Sequence, residues 1–136
     1  MENEELIAMA DEARLKAYAP YSKFLVGAAL LCKNGKVYTG CNIENAAFTP
    51  GICAERTAIS KAVSEGDMEF EKIAIIGSKD ICYPCGVCRQ VMVEFCDPKE
   101  FEVICADVNK NYKSLKLKDL LPYSFSLEDE WRAGMP

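Results

Sequence analysis

Cys53-Ala54-Glu55-Arg56 and Pro84-Cys85-Gly86-Val87-Cys88-Arg89-Gln90, with 32 residues from Cys53 to Cys85, are the two stretches on which the reading of this chain turns. Cys85 and Cys88 are three apart, so on a helix they share a face and can grip one ion. Pro84 suits the first turn of that helix, where the amide is unpaired in any case. Cys53 offers a third thiolate, and Glu55 beside it a carboxylate that need not bind metal. Three protein ligands and an open position separate a catalytic zinc from a closed structural one. Each stretch opens a helix, and a helix N-terminus favours anions.

Working outward from these two helices places the rest of the chain. The first runs from Ala54 to about Val63 and stops at Gly66. The second runs from Pro84 to about Phe95. Between them, Lys72 to Gly77 is an apolar strand. Upstream, Phe24 to Cys32 reads as a buried strand. Asn34-Gly35 is a two-residue hairpin signal, so Lys36 to Ile43 returns antiparallel. Residues 2–18 read as an amphipathic helix through Leu6, Ile7, Met9, Ala10, Ala13, Leu15 and Ala17, stopped by Pro20. Downstream, Phe101 to Asp107, a turn at Asn109-Lys110-Asn111, and Tyr112 to Leu117 form a last strand pair. Lys118 to Leu121 makes one helical turn, and a polar tail follows from Ser126. The order αββαβαββ predicts an α/β fold over residues 1–136 as a single domain, with a five-stranded mixed sheet sandwiched by helices.

Composition narrows the function. At 136 residues and 50% hydrophobic, the chain suits one core. A net charge of −5 and a pI near 4.8 argue against a nucleic-acid partner, which would require a basic footprint. The acidic start Met1-Glu2-Asn3-Glu4-Glu5 does not resemble a secretory signal. The longest uncharged apolar run, Phe24 to Cys32, is far short of the roughly 20 residues a membrane span requires. We therefore expect a soluble, cytoplasmic protein with no membrane partner. Eight cysteines in that setting point to metal or redox chemistry rather than a disulfide framework. Of these, Cys32, Cys41 and Cys105 sit in apolar surroundings and read as inert core thiols. The chain has no histidine, so proton transfer near neutral pH falls to a carboxylate, thiol, lysine or metal-bound water.

Other readings of the cysteines remain open on residue grounds. Cys85-x-x-Cys88 alone fits a structural zinc clip or a thioredoxin-like redox pair, and Cys82-x-x-Cys85-x-x-Cys88 is similar to the start of an iron–sulfur run. The latter needs its next cysteine after three residues, whereas Cys96 comes after seven. A redox pair leaves Cys53-Ala54-Glu55 unexplained, and a structural zinc needs a fourth protein ligand. A divalent ion on three thiolates carries one net negative charge and is a poor Lewis acid. Two helix N-termini, worth about +0.5 charge each, relieve this. So do Arg56 and Arg89, which each directly follow a motif residue and can donate to thiolate sulfur.

With those motifs in view, the chain resembles the cytidine deaminases of the small, homotetrameric, all-cysteine zinc type. The resemblance rests on C-x-E … P-C-x-x-C, with Cys53 in place of the commoner histidine. It extends to Tyr18-Ala-Pro-Tyr-Ser-Lys-Phe24, Gly40-Cys-Asn-Ile-Glu-Asn45, Cys53-Ala-Glu-Arg-Thr-Ala58 and Leu120-Leu-Pro-x-x-Phe125. It implies one zinc ion per chain on Cys53, Cys85 and Cys88, with Glu55 shuttling protons. It also implies a nucleoside held by Phe24, Asn42, Glu44 and Ala54, and Phe125 reaching a neighbouring subunit's site. The implied reaction is hydrolytic deamination of cytidine and deoxycytidine to uridine and deoxyuridine, with ammonia released, as in pyrimidine salvage.

The residues suit these roles without the family. Asn42 and Glu44 alternate onto one face of a strand end, offering a donor and an anionic acceptor for vicinal hydroxyls. Phe24 can stack on a base, although Phe24 and Phe125 read alone are core-packing residues. Two positions depart from the family: Phe48 stands where tyrosine is common, and Val87 where alanine is. The alternatives are a blasticidin-type nucleoside deaminase, which should lack the Asn42-x-Glu44 pair, and, outside enzymes, an iron–sulfur carrier or a zinc-stabilised binding module.

Overall fold

The structure is a computed structural model that describes residues 1–127; the polar tail expected from Ser126 lies outside the described residues from position 128. The elements are α1 (Asn3–Arg14), β1 (Gly27–Cys32), β2 (Val37–Cys41), α2 (Ala54–Ser64), β3 (Phe70–Ile76), α3 (Gly86–Phe95), β4 (Glu102–Ala106), β5 (Tyr112–Lys116) and the single turn α4 (Leu117–Leu120). The five strands form one mixed sheet in the order β2-β1-β3-β4-β5. Only β3 and β4 run parallel. A parallel pair needs a crossover connection, and the segment carrying α3 supplies it.

Central strands covered on both faces read as unbroken apolar runs. In β3, Ile73 and Ile75 pack towards α2 and α3 with Leu30, Ile59, Met92 and Val103. Ala74 and Ile76 point the other way, to Leu6, Ile7 and Ala10 of α1 with Ala29, Leu31 and Ile104. The helices therefore sandwich the sheet, as the order of elements predicted. Two strand glycines set how close the helices come. A Cβ on Gly27 would lie 1.9 Å from the Ala10 carbonyl oxygen, and one on Gly40 would lie 2.4 Å from that of Ala54. Helix α1 thus rests on the backbone of β1, and the first turn of α2 rests on the backbone of β2. That second contact fixes the height of Cys53.

Element ends shift by one or two residues at several places, and three departures are larger in extent or kind. Helix α1 ends at Arg14 rather than near residue 18. Tyr18 instead pairs with the segment after β2: its amide donates to Asn42 O at 3.0 Å, and its carbonyl accepts from Glu44 N at 2.8 Å. The hairpin at Asn34-Gly35 is a three-residue connection, because Cys32 N donates to Lys36 O. Gly35 alone takes a left-handed conformation there, with φ +90, while the Asn34 side chain accepts from Lys36 N and donates to Asp67. Regular pairing in β1 begins at Gly27 and not at Phe24, because side chains claim the backbone of residues 24–26. Among the described residues, no helix is long and apolar enough to cross a membrane.

Candidate metal centre

Both predicted helix starts carry a cysteine at the cap. Cys53 is the N-cap of α2 and Cys85 the N-cap of α3, each in extended backbone. Pro84 sits one residue before the cap rather than inside the first turn. The Cys85 sulfur accepts from Cys88 N at 3.4 Å, so a sulfur takes the place of the usual capping oxygen. Cys88, buried within the first turn of α3, turns its sulfur to the same point. The three sulfurs lie within 4.8 Å of one another, and among the described residues no other cluster of metal-ligating side chains meets that test. Cys82 is outside the group, which removes the first ligand of the iron–sulfur alternative.

The trio fits zinc. Tetrahedral zinc with bonds of about 2.3 Å to sulfur separates its sulfurs by about 3.8 Å, and Cys53 and Cys85 stand at 3.8 Å. The charge distribution is also ready for a cation. A hydrogen bond from Cys88 is the main influence pulling the Cys53 thiol down to about 5, against burial, and Arg56 and Cys85 add to it. Cys88 goes up, because it keeps the proton that it shares with Cys53 and is itself buried. A thiophilic cation displaces that proton, which is how metal binding to thiols ordinarily proceeds. Arg56 donates from Nη2 to Cys53 Sγ at 3.5 Å. Among the described residues its buried Nε has no hydrogen-bond partner, leaving a guanidinium donor unspent beside the sulfurs.

Glu55, in the first turn of α2, is only 4% exposed. Burial pushes its carboxyl up to about 7; its own helical amide opposes the rise and the Cys53 charge adds to it. A carboxyl poised there can both take and return a proton near neutrality.

Arg89 departs from expectation. Rather than facing a sulfur, it donates from Nε to Pro84 O and from Nη1 to Leu120 O, both at 2.7 Å. Two fixed backbone carbonyls match its planar fork, so it clamps the approach to Cys85 onto α4. Thr57 lies inside the motif that starts at Cys53, and its residue type alone signals no role there. Its hydroxyl sits 3.1 Å from both Cys41 O and Cys53 O, tying the cap of α2 to the end of β2.

Asn42 and Glu44 open onto a cleft of about 540 Å³ that Cys53, Arg56 and Phe48 also line. Both already have protein partners. Glu44 accepts from the amides of Tyr21 and Ser22 at 2.9 and 3.1 Å and from the Ser22 hydroxyl. The Ser22 hydroxyl contributes most to holding its carboxyl below the usual range. A carboxylate has about four acceptor sites, so one remains. Asn42 Nδ2 donates to Phe24 O at 2.8 Å, and Oδ1 accepts from Val26 N at 2.9 Å. Its second N–H is left over. Ala54 is buried at the start of α2. The half-buried Phe24 does not line this cleft: its ring lies against Gly77, next to Cys82. Phe125 is 68% exposed, and its carbonyl accepts from Gln90 Nε2 at 2.9 Å. Phe48 and Val87, the two departures, are both exposed.

Comparison with known proteins accords with this geometry. Residues 1–106 match the family described as the cytidine and deoxycytidylate deaminase zinc-binding region. A cytidine deaminase of Sporosarcina psychrophila is 46% identical over 130 residues, covering 95% of both chains. One from Halalkalibacterium halodurans is 45% identical over 130 residues, covering 95% of this chain and 98% of that one. Among solved structures, cytidine deaminase from Burkholderia pseudomallei superposes with a TM-score of 0.88 at 45% identity, over 92% of this chain and all of that one. The enzyme from Mycobacterium tuberculosis gives 0.81 at 35% identity, over 93% and 99%. A three-thiolate centre at two helix N-termini, a buried carboxyl beside it and these matches lead to one conclusion: the chain belongs to the cytidine and deoxycytidylate deaminase family.

Proposed function

We propose that the protein is a zinc-dependent hydrolase that converts cytidine and deoxycytidine to uridine and deoxyuridine, releasing ammonia. The observation that carries this reading is the gathering of Cys53, Cys85 and Cys88 within 4.8 Å, beside a carboxyl that is almost fully buried. When bound by these cysteines, zinc supplies Lewis acidity toward the attacking water. Glu55 takes a proton from that water as its oxygen bonds to C4 of the base, and delivers it to N3. The remaining hydroxyl proton passes by the same carboxyl to the amino nitrogen. The C4–N bond then breaks, ammonia departs, and the base keeps a carbonyl at C4. Arg56 and the two helix ends offset the thiolate charge.

Asn42 and Glu44 hold the sugar hydroxyls in this reading, with the amide N–H and the acceptor site that their protein bonds leave over. Phe24 stacks on the base, and the first residue of α2, Ala54, borders it. An anionic Glu44 repels a 5′-phosphate, so nucleosides are preferred to nucleotides. We further propose a homotetramer in which Phe125 enters a neighbour's site. Support comes from apolar side chains that one chain leaves in water, including Tyr21, Phe48, Val87, Tyr123 and Phe125. Eight unpaired cysteines suit the reducing cytoplasm, and the two core clusters on opposite faces of one sheet favour residues 1–136 as one domain. The test is kcat/KM for cytidine, CMP and cytosine on a preparation of known zinc content. Turnover of cytidine with one zinc per chain is expected, and CMP equal to or better than cytidine would overturn the sugar-binding roles and the substrate class.

A further inference from the structure

We infer that Gly77 and Ser78, which follow β3, are positioning residues that seat the Phe24 ring and so set how tightly the nucleoside base is held. The inference rests on the reading of Phe24 as a base contact. It begins with the segment Phe24–Val26, which the sequence reads as strand and which lies outside regular β1. All six of its backbone polar groups are nevertheless paired, five of them by three side chains. Ser22 Oγ accepts from Phe24 N at 3.0 Å. Asn42 takes Phe24 O and Val26 N. Ser78 Oγ accepts from Leu25 N at 3.0 Å and donates to Leu25 O at 2.9 Å. Only Val26 O pairs with backbone, accepting from Asn42 N at 3.2 Å. Side chains from the ends of β2 and β3 thus stand in for the two neighbouring strands and fix the backbone that carries Phe24.

Gly77 fixes the ring itself. A Cβ there would lie 2.8 Å from Phe24 Cζ, 3.2 Å from Cε1 and 3.3 Å from Cys82 Cβ. Its φ is not left-handed, so the backbone does not call for glycine; the ring does. The two closest atoms belong to the far end of the Phe24 side chain, so an added methyl displaces the ring first, while Cys82 Cβ has to give by only a few tenths of an ångström. Base–aromatic contact energies are large enough for such a displacement to be read in binding.

The experiment uses zinc-loaded protein, with zinc content and thermal midpoint measured for every variant. Gly77→Ala is expected to raise KM for cytidine roughly tenfold while kcat stays within about twofold. In a Phe24→Ala background the same substitution is expected to change KM no further, because its effect acts through the ring. Ser78→Ala is expected to raise KM roughly threefold or more, and Ser78→Thr, which keeps the hydroxyl, to restore it. If Phe24→Ala raises KM but Gly77→Ala does not, or if the two effects add independently, the seat is wrong and the base contact stands. A Ser78→Ala variant that loses kcat at unchanged KM also overturns it. If Phe24→Ala itself leaves KM unchanged, the base contact and the seat fall together.

Discussion

Replacing Glu55 with glutamine separates the chemistry of the site from its construction. The side chain is 4% exposed and stands in the first turn of α2. Glutamine keeps its volume, so packing around α2 and the three sulfurs is retained. Proton transfer is removed, and a positioned acid–base group is worth about 10²–10⁴ in rate. We expect kcat to fall at least about 10²-fold, with one zinc per chain preserved. Stability should move the other way. The rise of the carboxyl from its ordinary 4.5 to about 7 corresponds to about 3 kcal/mol against the ionised form. Because the folded value lies above the unfolded one, the folded state holds the extra proton, and stability declines as pH rises from about 4.5 through about 7. The variant has no such group. Its urea midpoint, measured on metal-free protein, should therefore gain on the parent's between pH 5 and pH 8, while steady-state uridine formation by the zinc-loaded variant collapses. Turnover near the parent rate removes Glu55 from the mechanism. A midpoint difference that is flat across that pH range refutes the burial argument.

Cys53→Ala, Cys85→Ala and Cys88→Ala should each lose zinc and activity, whereas Cys82→Ala should keep both; full metal occupancy in Cys85→Ala with none in Cys82→Ala, by elemental analysis, would show the wrong cysteines chosen. Glu44→Ala removes three protein hydrogen bonds along with the proposed sugar contact, so KM for cytidine should rise far more than any residual cytosine turnover changes, and equal effects on both substrates would exclude a sugar role. Gly40→Ala places a methyl 2.4 Å from Ala54 O and 2.6 Å from Ala58 N; these backbone atoms cannot swing aside, so we expect a loss of about 1–3 kcal/mol in urea unfolding, and an unchanged midpoint would mean that α2 can lift from β2. Light scattering at assay concentration should give four chains, and a fully active monomer would refute the shared site.

What was legible in the sequence and what was not divide along a physical line. The placement of Cys53, Cys85, Cys88 and Glu55 could be read because it is tied to local spacing: a cap, and residues two or three positions along a helix. The element order was legible for the same reason, since a buried strand such as Ile73–Ile76 shows its apolar run wherever it sits. Arg89 could not be read. Its partners are the backbone carbonyls of Pro84 and Leu120, and carbonyls carry no residue identity to detect. The strand start at Phe24 and the helix end near residue 18 failed for one related cause. In both places apolar periodicity continues, but the backbone is claimed by groups distant in sequence: Ser78 at Leu25, 53 residues away, and the segment after β2 at Tyr18.

Asn42 shows why such places gather at a site. Its side chain completes the pairing that the backbone leaves open beside Phe24 and still has one N–H to offer. A regular strand there would have consumed Phe24–Val26 in backbone pairing, with no side-chain groups at its edge to meet a ligand. Ser22 and Asn42 both hold that chain and line the cleft, while Ser78 holds it from outside the cleft. The strand reading at Phe24 therefore fails at the point where the sheet stops pairing with itself and side chains take over the backbone.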